Sequence, residues 1–128
     1  TTVGGITIST AGLVTVGAAS GSISAISVAA SDTTKTLDFA TSSNFALTLA
    51  NTSSCTLANP SNLSAGQSGS IFIVRDSGGG KLLTFGSKWD FINGVAPTLS
   101  TGGSAVDRID YVVRTTSSIH VVFTANYS

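Results

Sequence analysis

The sequence predicts an all-β protein: an antiparallel β-sandwich of jelly-roll type with an extended N-terminal β arm. Three observations predict it. Apolar residues recur at every second position over short runs, the pattern of strands buried on one face. Ser (21) and Thr (18), with Gly and Ala, make up more than half of the 128 residues, while Glu is absent and the strong helix formers are scarce. The runs are separated by turn chemistry at Asn59-Pro60, Asp76-Ser77-Gly78-Gly79-Gly80, Asn93-Gly94 and Thr101-Gly102-Gly103. About nine short strands at intervals of roughly 8–12 residues follow from that spacing.

Taken in order, the alternating pairs begin with Ile6/Ile8, Val14/Val16 and Ile26/Val28, interleaved with Thr, Ser and Gly. Thr suits the solvated face because its β-branch fits a pleated surface. Leu37/Phe39 and Phe45/Leu47/Leu49 continue the series. Ile71/Ile73, Ile109/Tyr111/Val113 and Ile119/Val121/Phe123 complete it. Gly78-Gly79-Gly80 between two such runs reads as a hairpin loop that uses glycine's freedom at positive φ. No charged residue occurs between Thr1 and Ala30, whereas all charges, all aromatic residues and both prolines lie beyond Ser31. The expected organisation is therefore an uncharged arm or stalk over residues 1–30 and a compact β-sandwich over residues 31–128. Ile6, Ile8, Val14 and Val16 are the side chains expected to grip neighbouring chains.

Composition also excludes function classes. Six basic against six acidic residues leave no net charge, so the chain lacks the basic footprint of a nucleic-acid binder. Its 41% apolar content is too high for a disordered linker. No apolar run is long enough to span a bilayer, and no Lys/Arg-led apolar segment opens the chain, so membrane insertion is not expected. Thr1 is a small residue of the kind left after removal of an initiator Met, which suggests a free-standing small protein. Cys55 stands alone and reads as a small buried hydrophobe.

The residues do not assemble a catalytic set. His120, the one histidine, falls on the same side of its strand as Val122 and opposite Ile119, Val121 and Phe123. No Gly-x-Ser-x-Gly elbow accompanies it. Gly78-Gly79-Gly80-Lys81-Leu82 fails the phosphate-loop pattern, with Arg75 in place of the first Gly and Leu82 in place of the hydroxyl. Asp107 and Asp110, three apart on a strand, point to opposite faces, so they are not a glycosidase pair. They are expected in surface or intersubunit ion pairs, Asp107 with Arg108 and Asp110 with Arg114. One histidine and one cysteine do not make a zinc site within the chain. The expectation is a protein without enzymatic activity, cofactor or metal. Lys88-Trp89-Asp90-Phe91 holds the one Trp and leads into Asn93-Gly94. Trp89 reads either as a plug closing the core or, with Asp90, Phe91 and Asn93, as a contact surface for a receptor or a subunit.

The stretch Thr56-Leu57-Ala58-Asn59-Pro60-Ser61-Asn62-Leu63-Ser64-Ala65-Gly66-Gln67, then Lys88-Trp89, Ala96-Pro97-Thr98-Leu99 and Ala105-Val106-Asp107-Arg108-Ile109-Asp110-Tyr111, resembles a module common in tailed-bacteriophage structural proteins. The resemblance covers residues 45–128 and departs at Asp90-Phe91-Ile92-Asn93, where that module usually has shorter Pro/Gly turns. It implies a protein of the virion surface, often trimeric: a small capsid decoration (cement) protein bound to the major capsid protein, or the C-terminal domain of a tail fibre. Decoration is the preferred expectation, because a native start at Thr1 leaves no room for a shaft. The alternative is recognition of a host surface glycan or receptor.

Overall fold

Alternating Ile, Leu, Val and Phe with Ser and Thr gives the longer strands beyond residue 22 one apolar face, and the chain buries those faces between two sheets. The computed structural model describes residues 22–127, together with the backbone of three short strands nearer the N-terminus. Those three are β1 (Thr2–Val3), β2 (Ile6–Ile8) and β3 (Val14–Val16). They form an antiparallel sheet of their own in the order β1-β2-β3. Ile6 stands opposite Val16 and Ile8 opposite Val14; the side chains of these four expected grip residues lie outside the described residues.

Nine further strands follow: β4 (Ile23–Val28), β5 (Thr34–Lys35), β6 (Asn44–Leu49), β7 (Cys55–Leu57), β8 (Ser68–Arg75), β9 (Leu83–Phe85), β10 (Trp89–Phe91), β11 (Val106–Thr115) and β12 (Ser118–Thr124). A single 3-10 turn at Ile92–Gly94 is the one helical element among the described residues. A six-stranded sheet has the order β10-β12-β11-β8-β6-β4, and a three-stranded sheet the order β5-β7-β9. The expectation of an all-β chain holds. The strand directions differ from the antiparallel expectation, because β4, β6 and β8 are mutually parallel, as are β5, β7 and β9. Within the six-stranded sheet only β8-β11-β12 runs antiparallel, and β10 is parallel to β12.

The cause is a coiled path. The chain lays one strand in the large sheet, turns a corner, lays one in the small sheet, and returns to begin the next coil: β4 to β5, β6 to β7, β8 to β9. Successive coils stack in register, so Ile26, Leu47 and Ile73 form one column, and Phe45, Ile71, Ile109 and Phe123 another. On the outer side of the small sheet Thr34, Thr56 and Thr84 stand in line, and the Thr56 and Thr84 hydroxyls are 2.9 Å apart. Two sequence expectations change with this path. The Gly78–Gly80 segment is not a hairpin loop, since β8 and β9 lie in different sheets; it is the corner of the third coil, with Gly79 and Gly80 at φ 59° and 62°. Leu37 and Phe39 belong to no strand, yet both are buried on the return side of the first coil, where Asp38 bridges to Ser61 of the next. β4 is hydrogen-bonded along its length to β6, so residues 23–28 of the expected arm form a strand of the main sheet.

One core lies between the sheets. Leu47, Leu49, Leu57, Ile71 and Ile109 are fully enclosed in it, as is Cys55. Burial pushes the Cys55 thiol above its ordinary pKa. One end of this core is aromatic. Phe39 stacks on Tyr111 (ring centroids 4.9 Å apart) and on Phe45 (5.7 Å), and Trp89 meets both Phe39 and Phe85 edge-on at 6.3 Å. The other end is polar. Asp107, 1% exposed, accepts from the Ser100 amide (2.8 Å), the Ser100 hydroxyl (2.6 Å) and the Asn126 amide (2.9 Å). Arg75, 3% exposed, donates from Nη1 to the Lys81 carbonyl. Burial draws the Arg75 guanidinium below its ordinary pKa, and the charges of Asp107 and Asp76 oppose that shift.

Candidate interaction surface

Alternation fixes where each singled-out side chain points. In β10, Trp89 and Phe91 turn toward the core and Asp90 toward solvent. Trp89 is 4% exposed, and its indole N–H donates to the Ala58 carbonyl at 3.1 Å. It is the plug and not a contact surface; an indole so enclosed offers no face to a sugar or a receptor. Phe91 is half-buried and packs edge-on against Phe85 at 4.8 Å. Asn93 is exposed at the tip of the following turn, at φ 59°, a left-handed conformation that Asn tolerates. Of the four residues expected to act together, the structure leaves Asp90 and Asn93 exposed and withdraws Trp89.

Asp90 belongs to a different constellation. On the outer face of the large sheet it stands beside His120, which in turn stands beside Val112; Asp110 lies one row on, beside Val122. With Ile92 these residues line a groove of about 520 Å³. Its walls are apolar: Val112 is 50% exposed, Val122 54% and Ile92 68%. Its carboxylates are held by neighbours. Asp90 accepts from the Ser118 hydroxyl at 2.5 Å, while Asp110 accepts from the Ser70 hydroxyl at 2.6 Å and from Arg108 Nε at 3.0 Å. The same Arg108 stacks over the Tyr127 ring at 4.9 Å. The expected ion pairs are therefore rearranged. Asp107 turns inward to the backbone and Ser100 rather than pairing with Arg108, because odd positions of β11 face the core. Arg108, two residues from Asp110 on the same face, takes the place expected of Arg114. His120 is exposed on the side of Val122, as alternation predicts.

Sequence reasoning missed Val112, Val122 and Ile92 as groove walls. The signal was present in Tyr111-Val112-Val113 and Val121-Val122-Phe123, where apolar residues occupy both parities of a strand and one of them must face outward. Among the described residues no three His, Cys or Asp side chains converge as a metal site, and no helix is long and apolar enough to cross a membrane. Compared with protein-family models, curated proteins and solved structures, the chain matches none.

Proposed function

We propose that this chain is a non-enzymatic structural protein of a tailed-phage virion, an oligomeric decoration protein that binds and stabilises the capsid surface. In this reading the two sheets and their shared core form the displayed body, β4 included, and the uncharged segment that precedes β4 forms the arm that engages neighbouring chains. The observation that supports it best is the outer face of the six-stranded sheet. It exposes Val112 and Val122 on the adjacent strands β11 and β12, on a body whose described carboxylates near that face are each tied to a Ser or an Arg. Large apolar side chains exposed side by side in this way are a feature of protein–protein contacts.

A tail-fibre domain that recognises a host glycan or receptor is the second reading, favoured by the groove at Asp90, His120 and Val122. The copy number of the chain in purified virions, measured by quantitative mass spectrometry against the major capsid protein, separates the two. A ratio near one per capsid subunit, or a simple fraction of it, is the expected result. A few copies per particle moves the reading to the fibre, and absence from virions overturns both.

A further inference from the structure

The two edges of the six-stranded sheet are built differently. β10 has three residues, carries Asp90 and follows Lys88, the short charged form in which exposed edges are normally protected. β4 has six residues, Ile23-Ser24-Ala25-Ile26-Ser27-Val28, with neither a charge nor a proline, and Ile23 is 56% exposed. The main-chain groups of β4 alternate between its two sides. Val28 accepts from the Ala50 amide at 2.9 Å, so Ser24, Ile26 and Val28 turn their amides and carbonyls toward β6. Ile23, Ala25 and Ser27 turn theirs to the open side of the sheet.

The chain also carries a small sheet in need of a support. β1, β2 and β3 have two or three residues each, too little to bury a core alone. Six residues separate β3 from β4, enough for a hairpin, yet the two strands belong to different sheets. β3 and β4 are thus both edge strands, both uncharged, and not partners within one chain.

We propose that β3 of one copy adds to the β4 edge of a second copy, so that the six-stranded sheet continues across the subunit boundary. The bonds are main-chain amide to carbonyl, the mode of strand addition. No charge between Thr1 and Ala30 has to be desolvated on either side of the contact. This deepens the reading of the N-terminal segment as an assembly arm and rests on it, by naming both the donor strand and the edge that receives it.

The test uses the full-length chain in sedimentation equilibrium, with circular dichroism to verify folding. Ala25→Pro removes an amide that points to the open side and leaves the β4–β6 bonds in place, the setting in which an edge strand tolerates proline. Ile23→Lys places a charge on the same edge without touching the main chain. Thr15→Pro breaks the donor strand. Self-association of the unsubstituted chain is expected, weakened about tenfold or more by each substitution. Ala25→Pro copies keep an intact donor and Thr15→Pro copies keep an intact edge, so an equimolar mixture is expected to form pairs that neither forms alone. A monomeric unsubstituted chain, an oligomer indifferent to Ala25→Pro and Ile23→Lys, or a mixture without pairs overturns the proposal. A chain that shows these effects yet is missing from virions overturns the virion reading and leaves the strand addition standing.

Discussion

Trp89 shows how one residue is read by its surroundings. Its indole touches the Phe39 and Phe85 rings and donates to the Ala58 carbonyl, so Trp89→Ala removes core volume, ring contacts and a hydrogen bond together. A loss of about 3–5 kcal/mol is expected, measured by urea unfolding of the variant against the parent. Tyr111 gives a prediction in pH. Burial pushes its phenol up to about 12, outweighing the pull of the Ser43 side chain, and only the protonated hydroxyl can donate its 2.7 Å hydrogen bond to the Ser43 carbonyl. An unfolded tyrosine ionises near pH 10, about two units lower. The buried phenol therefore favours folding fully below about pH 10, and that contribution is lost as pH rises toward about 12. Thermal melts between pH 9 and pH 12 should show a falling midpoint, with a shallower fall in Tyr111→Phe. At this scale the sequence was informative wherever parity alone decides. The opposed directions of Asp107 and Asp110 and the shared side of His120 and Val122 follow from a two-residue period. The Ser100 and Asn126 amides that meet Asp107 do not, since they lie 7 and 19 residues away on loops whose path no period describes.

Elements were legible as strands but not as partners. Alternation is the same in a parallel and an antiparallel strand, so Phe45-Leu47-Leu49 and Ile71-Ile73 announce a buried face without stating which neighbour it lies beside. The connections between them contain Gly, Asn, Asp and Ser, which serve a coil corner as well as a hairpin. Leu37 and Phe39 mimic a strand because the return side of a coil also alternates inward and outward, with only the Asp38–Ser61 bridge to show for it. Gly69 marks a place where the element itself constrains the residue. A Cβ at this position of β8 would collide with the Ser43 carbonyl, which also accepts the Tyr111 hydroxyl. Gly69→Ala forces the Ser42-Ser43 corner away from the sheet, and a loss of about 1–3 kcal/mol is expected by chemical denaturation. The same substitution at Gly80, whose Cβ would meet nothing within 4 Å, costs only the strain of φ 62° and should be milder.

At the scale of the molecule, two sheets and a return side close around a single core, so the described body is expected to open as a unit rather than by halves. Its aromatic end is tied through Phe39 to β6, β10 and β11, and its polar end ties the C-terminal segment to Asp107. Stacked coils join residues far apart in sequence, and the last of them is closed by β11 and β12 against β8. The class of fold was visible from composition and period, while the coil path was not, because it depends on which strand returns to which sheet. Cys55 lies at 0% exposure inside this enclosure and is the one thiol of the chain. That position makes it a clock. An alkylating reagent modifies the sulfur only in molecules that have opened, so in native buffer the labelling rate is the intrinsic thiol rate scaled by the open fraction. Intact mass follows the single label with time. Labelling should accelerate in Trp89→Ala by the same free energy that the urea titration gives, about 1.4 kcal/mol for each tenfold.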